Sequence, residues 1–292
     1  MLRSVLFTPG NSERMMEKAL RVPADAVVFD LEDAVALSEK EAARGKIRQA
    51  LTLPRRAKAY VRVNALSTQM TADDIEAVAC GGLDGVVLPK VEKAADLHIV
   101  DWFMGVVERR KGLCPGSLDL VVIIENAKGV WNLEEILRAS ERLSRVSFGS
   151  VDYTTDLGIR WSGTGQELYY ARMMVVCASR AAGKEPPLDT VYPVVHDLEG
   201  LRKEAELAKA LGFKGKTAIH PEQIPVINEV FTPTQEEIEF AKKVVEAFKV
   251  AEGKGLASIV IDGGKFVDYP VYLNAKRVLE MVEEERATPG KL

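Results

Sequence analysis

A closed (β/α)8 barrel, an α/β fold of parallel strands ringed by helices, is the architecture this sequence predicts, and three observations predict it. Short runs rich in Val, Ile and Leu alternate with stretches of helical spacing, in units that together fill about 220 residues. Most of those runs are nearly all apolar, as strands of a parallel sheet covered on both faces are. The length of 292 residues exceeds an average domain yet suits one barrel of this kind. An open doubly wound sheet would share the periodicity, but no GxGxxG follows a strand and no Walker-type loop appears.

Taken in order, the first run, "SVLFTPG", gives way to the helical "NSERMMEKAL", and the second, "ADAVVFDLED", to "SEKEAARGKIRQAL". "KAYVRVNAL" precedes "TADDIEAVACGG", and "DGVVLPKV" precedes "AADLHIVDWFMGVVERRKG". The fifth run, "LDLVVIIEN", is followed by "GVWNLEEILRAS", and the sixth, "SRVSFGSVD", by "GQELYYARMMVVCASRAAG". The seventh, "PLDTVYPVV", is the least regular; it leads to "LEGLRKEAELAKALG", and "GKTAIHP" is the eighth. This assigns residues 1–230 to a catalytic barrel. Residues 231–292 form an appendage: the helix "TPTQEEIEFAKKVVEAFKVAEGKG", the hairpin "ASIVIDGGKFVDYPV" turning at Gly263-Gly264, and the helix "LNAKRVLEMVEEERA". A core barrel does not need it, and such an extension packs on a neighbouring subunit or caps a site. The final "TPGKL" is expected to fray.

Composition excludes several classes. Apolar residues make up 47% and charged residues 28%, the balance of a water-soluble globular chain. A formal charge of −4 argues against a nucleic-acid surface, which needs a basic face. Cys80, Cys114 and Cys177 are far apart with no CxxC pair, which suits reduced thiols and a cytoplasmic location. "MLRSVLFTPGN" is broken too soon by Pro-Gly to act as a signal peptide, and no apolar run is long enough to span a membrane.

Residues at the C-terminal ends of barrel strands share the face that carries chemistry. Polar residues fall there repeatedly: Asp30, Glu32 and Asp33 after run two, Arg62 and Asn64 after run three, Lys90 after run four, Glu125, Asp152 and His220 after runs five, six and eight. Glu125 and Asp152 end adjacent runs, so their carboxylates can meet at the mouth. Two such groups repel unless a shared proton, a basic side chain or a metal neutralises them. An all-oxygen pair completed by water and substrate oxygens suits Mg²⁺, whereas zinc would want His or Cys, and only three His are present. The plain alternative is a set of ion pairs with Arg62 and Lys90. Arg62 can grip a substrate carboxylate or pair with Asp30 or Asp33. His98 and His196 read as surface residues, and His220 as site-lining or structural in equal measure. Asp156 and Arg160 suit a loop network, and Arg14 and Lys18 a phosphate contact or a solvated helix face.

With the residues laid out in this way, the chain resembles the citrate lyase β-subunit family of the HpcH/HpaI aldolase superfamily, including its stand-alone malyl-CoA and citramalyl-CoA lyases. The resemblance runs from "LFTPGN" to "GKFVDYPV" and rests on "DLEDAV", "VRVNAL", "IIEN", "FGSVDY", "GKTAIHP" and "FTP" in combination. It implies that Glu125 and Asp152 hold Mg²⁺ and that Arg62 binds the 2-oxo acid. It implies thioester or substrate contacts for Phe7, Lys18, Val151, Ile219 and His220. Asp268 would be the acid/base, supplied across a subunit boundary in an oligomer, expected to be a trimer. Ser12 stands where some CoA lyases carry arginine. Asp33, a further catalytic candidate, stands where aldehyde-using aldolases carry a catalytic histidine, which argues against pyruvate–aldehyde chemistry. The expected activity is Mg²⁺-dependent cleavage or formation of a β-hydroxyacyl-CoA, yielding acetyl-CoA and a 2-oxo acid. The alternatives are a citrate lyase β subunit acting on citryl-acyl carrier protein, a malyl-CoA thioesterase, and a non-catalytic CoA-binding barrel.

Overall fold

Eight strands, β1 (Ser4–Pro9), β2 (Ala26–Asp30), β3 (Lys58–Arg62), β4 (Gly85–Leu88), β5 (Asp119–Ile124), β6 (Leu143–Phe148), β7 (Leu188–Asp189) and β8 (Gly215–Ala218), close in chain order into a parallel barrel, β1 pairing with both β2 and β8. The structure is a computed structural model that describes residues 2–287; "TPGKL" lies outside the described residues. The surrounding helices are α1 (Glu13–Ala19), α2 (Lys40–Ala50), α3 (Thr71–Val78), α4 (Ala94–Lys111), α5 (Ala127–Trp131), α6 (Leu133–Arg138), α7 (Ser150–Leu157), α8 (Tyr169–Ala181), α9 (Leu198–Leu211) and α10 (Gln223–Phe231). The closed (β/α)8 barrel expected from the sequence is the fold.

Successive strand residues point to opposite faces, and this alternation sorts the apolar runs into two cores. Val5, Val28, Tyr60, Val87, Val121 and Ile123 fill the barrel interior. Their neighbours Leu6, Val27, Val61, Val86, Val122 and Ile124 face outward, where they join Met16, Ile47, Ile75 and Leu97 from the helices. Strands buried on both sides explain why the runs read as continuous rather than alternating.

Three elements away from the mouth depart from the sequence reading. The seventh run is a strand only at Leu188 and Asp189, because Pro186, Pro187 and Pro193 lack ladder donors on either side. The helix expected after run five is two short ones that meet at Asn132, where φ is −98° and ψ 15°, and whose amide donates to the Glu92 carbonyl at 2.8 Å. The hairpin of the appendage stops at Asp268, and the "YPV" read as strand belongs to the last helix.

What β7 lacks in ladder length is offset by a buried ionic network. Arg172 on α8 forks onto Asp189 at 2.8 and 3.0 Å, and Lys216 on β8 reaches Asp189 at 2.7 Å and Glu204 on α9 at 2.6 Å. Burial alone would raise the Asp189 pKa, but the charges of Lys216 and Arg172 hold it below the usual carboxylate range.

The chain divides into two compact units, Leu2–Phe231 and a second that begins at Thr232. The second contains α11 (Gln235–Glu252), an antiparallel hairpin of β9 (Ser258–Ile261) and β10 (Lys265–Asp268), and α12 (Tyr269–Ala287). The Thr234 hydroxyl and Glu237 carboxylate cap α11 reciprocally. Ala241, Val244, Phe248, Val267 and Ala275 form its own small core. The hairpin turns through Asp262, Gly263 and Gly264, all at positive φ. Among the described residues no helix is long and apolar enough to cross a membrane, and the three cysteines are free.

Asp189→Ala should cost roughly 3–5 kcal/mol of stability, because it leaves two buried cations, Arg172 and Lys216, with Glu204 as their one remaining carboxylate. Urea unfolding followed by circular dichroism would measure it.

Candidate active site

The inward positions of the strands continue to the barrel mouth with a change of character. Beyond Val5 stands Phe7, beyond Val28 Asp30, beyond Tyr60 Arg62, and beyond Ile123 Glu125. They border a cavity of about 300 Å³ whose lining also includes Thr8, Asp33, Ser147, Gly149, Ser150, Val151, Asp152, Thr190, Thr217 and Ile219.

Arg62 is fixed before any ligand arrives. Its Nε and Nη2 donate to the two oxygens of Asp30 at 2.7 and 2.6 Å, its Nη1 lies 2.9 Å from Glu32 Oε2, and its guanidinium sits over the Phe7 ring at 5.2 Å. Asp30 is held in turn by the backbone N–H groups of Glu32 and Ala34 at 2.9 and 3.1 Å. The loop after β2 is pinned by Lys40, buried on α2, which donates to the Leu31 and Glu32 carbonyls and to Asn64. Burial works against the Arg62 charge, but Asp30 and Glu32 outweigh it and raise its pKa.

Glu125 is buried against the start of α7. Its Oε1 accepts the backbone N–H of Lys90 at 2.8 Å. A Cβ on Gly149 would fall 2.6 Å from Glu125 Cβ and 2.7 Å from its Oε2, so only glycine admits the carboxylate here. Gly149 is the N-cap of α7 and has no side chain to cap with. The Thr190 hydroxyl, from the end of β7, accepts the Ser150 N–H at 2.9 Å instead. Asp152 therefore lies in the first turn of α7, not on strand β6, which ends at Phe148. This corrects the expected placement: the two carboxylates come from a strand end and a helix start.

Both sit in a site crowded with like charge. Burial, then the charges of Asp152 and Glu32, push the Glu125 carboxyl up to about 8. Burial also raises Glu32, against the opposing pull of Arg62 and Lys90, and Glu32 Oε2 is buried without a hydrogen bond. Lys90 does not neutralise Glu125 or Asp152 by an ion pair; its ammonium goes to Glu32 and, at 3.3 Å, to Asp33. Burial disfavours the Lys90 charge, but Glu32 and Asp33 more than restore it. Among the described residues no group of three or more His, Cys, Asp and Glu could hold a metal unaided. Two carboxylates and an open cavity instead suit a hard cation that keeps water or substrate oxygens in its remaining positions.

The other sequence candidates separate into groups. Asp33, Val151 and Ile219 border the cavity, Asp33 exposed and turned toward Lys90. Lys18 lies on the exposed side of α1, away from the lining. His220 is next to Ile219, but its ring meets His196 at 5.8 Å and its Nδ1 accepts the Glu222 N–H at 3.3 Å. Asp156 caps α5 through the Ala127 N–H at 2.8 Å, and His98, Arg14 and Arg160 are exposed. Asp268 ends β10 in the second unit, where its Oδ1 accepts the Val271 N–H at 3.2 Å and starts α12. Gly149, Thr190 and Lys40 were not singled out in the sequence. "FGS" before the acidic stretch was the available signal for the first; the other two act through contacts that only the closed barrel creates.

A parallel (β/α)8 barrel with a charged cavity at the C-terminal ends of its strands has the build of an enzyme. The family model for HpcH/HpaI aldolase/citrate lyase matches residues 3–221. The chain belongs to that family and is a carbon–carbon lyase by its membership. It is 41% identical to the citrate lyase subunit beta of Escherichia coli over 283 residues, 96% of this chain and 93% of that protein. It is 38% identical to a (3S)-malyl-CoA thioesterase of Cereibacter sphaeroides, over 96% of this chain and 94% of the relative. The CitE protein of Mycobacterium tuberculosis, in complex with magnesium, acetoacetate and coenzyme A, superposes with a TM-score of 0.79 at 30% identity, covering 96% of this chain and 98% of that one.

Two outcomes follow for the metal-free protein. The folded pKa of Glu125 lies above its unfolded value near 4.5, so its contribution to stability is complete below that pH and is lost as pH rises toward 8. Thermal melts in EDTA should show Glu125→Gln melting several degrees above the parent at pH 9 and close to it at pH 4.5. Gly149→Ala should lose roughly 1–3 kcal/mol from the forced contact with Glu125, read by urea unfolding.

Proposed function

We propose that this protein is a Mg²⁺-dependent lyase of β-hydroxyacyl thioesters, cleaving or forming a malyl- or citramalyl-type CoA ester to give acetyl-CoA and a 2-oxo acid. The observation that carries the reading is the pairing of two crowded carboxylates, Glu125 and Asp152, with a prefixed arginine beside one cavity. That donor chemistry fits Mg²⁺, which keeps part of its shell for water and substrate oxygens. Bound by Glu125 and Asp152, Mg²⁺ would supply the positive charge that eases deprotonation of the hydroxyl destined to become the carbonyl.

The chain's own residues do the rest. Arg62 uses Nε and one Nη2 donor on Asp30 and sets Nη1 against Glu32, so one N–H on each Nη is left to grip the carboxylate of the 2-oxo acid. The grip is prepaid, since Asp30 and the Phe7 ring already fix the guanidinium plane. In cleavage the hydroxyl gives its proton to the Asp268 carboxylate, the bond from the carbinol carbon to the acetyl carbon breaks, and its electron pair becomes the thioester enolate. Asp268, contributed by a second copy in an oligomer we infer to be a trimer, returns a proton to the acetyl carbon. Its Oδ1 is engaged in capping α12, which leaves Oδ2 for the transfer. Condensation is the same path reversed. The free thiols support a cytoplasmic setting.

A second reading is favoured by the relatives named citrate lyase subunit beta: the thioester would be carried on an acyl carrier protein and the acyl group would be citryl. A third follows from the relative named as a thioesterase, in which water completes the reaction.

The deciding assay is acetyl-CoA release from malyl-, citramalyl- and citryl-CoA with Mg²⁺ and then EDTA. We expect metal-dependent release from one ester, reduced about 10²–10³-fold in Asp152→Ala. Free acid and CoA without acetyl-CoA would establish the thioesterase. A folded protein inactive on all three would overturn the CoA-ester reading in favour of the carrier protein.

A further inference from the structure

Lys90 follows β4 in the left-handed region, with φ of 54°. Only two other described residues besides glycine have positive φ: Gln69 closes a short helical turn and Asp262 lies in the hairpin turn, where that conformation is ordinary. Lys90 does neither. Its backbone N–H donates to Glu125 Oε1 at 2.8 Å, while its ammonium reaches Glu32 and Asp33. Glu32 completes a chain: Oε1 takes the Lys90 ammonium, and Oε2 faces Arg62 Nη1 at 2.9 Å. Lys90 itself is not part of the cavity lining, so whatever it does is done through Glu125 and Glu32.

We infer that Lys90 is a positioning residue with two separable tasks: its left-handed backbone aims the cation-facing carboxylate of Glu125, and its ammonium, through Glu32, holds the arginine that receives the 2-oxo acid. The left-handed conformation is what splits the tasks. Because φ sets the angle between the N–H and both the side chain and the chain that follows, a β or αR value would, with those parts anchored, swing the N–H off Glu125 and cost the carboxylate the one hydrogen bond that fixes its orientation. Glycine would satisfy the backbone without strain, so the lysine here brings the ammonium as a second requirement. One residue thereby couples the geometry of the two halves of the site. This inference rests on the reading of Glu125 and Asp152 as cation ligands.

The two tasks are separated by two kinds of substitution. Lys90→Met keeps an unbranched side chain, hence the backbone conformation, and removes only the charge. Lys90→Val removes the charge and, being β-branched, also disfavours the left-handed backbone. Loss of a cation beside Glu32, Asp33 and Asp152 by itself strengthens cation binding, so weaker binding cannot come from the charge. Mn²⁺ titrated into the metal-free proteins, with free Mn²⁺ read by EPR, should bind Lys90→Met as tightly as the parent or tighter. It should bind Lys90→Val about tenfold or more weakly. Glyoxylate and pyruvate titrated by calorimetry into the Mn²⁺-saturated proteins should bind the parent and Lys90→Arg alike, and Lys90→Met about tenfold more weakly. Should Lys90→Val fail to fold by circular dichroism, Lys90→Thr, also β-branched, takes its place. Equal Mn²⁺ affinity in the methionine and β-branched variants would overturn the backbone task, and unchanged 2-oxo acid binding in Lys90→Met would overturn the ammonium task. Asp152→Ala is the control: Mn²⁺ binding at parent strength there would sink the cation reading itself, whereas loss of binding there leaves any failure to Lys90.

Discussion

The crowding of negative charge at one end of the barrel is the constraint on which the site depends. Asp30, Glu32, Asp33, Glu125 and Asp152 converge there, and among the described residues Arg62 and Lys90 alone answer them with ion pairs at the mouth. The two cations are spent on Asp30, Glu32 and Asp33. Glu125 and Asp152 are left facing each other's charge, and burial makes that expensive. A divalent cation resolves the conflict more simply than any rearrangement of the side chains present. The supporting contacts make sense in this light: Lys40 fixes the acidic loop, Thr190 caps the helix that carries Asp152, and Gly149 leaves room for the Glu125 side chain.

The division of labour within the mouth is geometric. Asp30 accepts from Arg62 twice and from two backbone N–H groups, so it orients the arginine and its acceptor capacity is spent. Glu32 links Arg62 to Lys90, and Lys90 links Glu32 to Glu125. Half of the site cannot shift without the other. Such a linked set suits a reaction in which a carboxylate, a hydroxyl and a thioester must be held in one orientation while a carbon–carbon bond breaks.

The family relation and the local chemistry agree on a lyase, and the relatives divide over the fate of the thioester. The reason is physical. Cleavage and hydrolysis share the same charge requirement at the mouth, and a carrier-bound thioester presents the same reacting atoms as CoA. The second unit has its own core and caps, and Asp268 stands where its hairpin becomes a helix. Its carboxylate is positioned by the same N-cap logic that starts any helix.

Eight apolar runs with helical spacers were enough to determine the barrel, because strands buried on both faces and covered by helices leave a periodic signature. The same alternation determined that Asp30, Arg62 and Glu125 would point into the mouth, each two residues beyond an inward apolar side chain. Asp152 was legible as a site residue but not as a helical one, since "FGSVDY" carries no strong capping side chain and the cap comes from Thr190, some forty residues later. Which carboxylate Arg62 would choose, the shortness of β7, and the left-handed turn at Lys90 were decided by tertiary structure alone. Each depends on distances between residues that become neighbours only when the barrel closes, and periodicity along the chain holds no record of such distances.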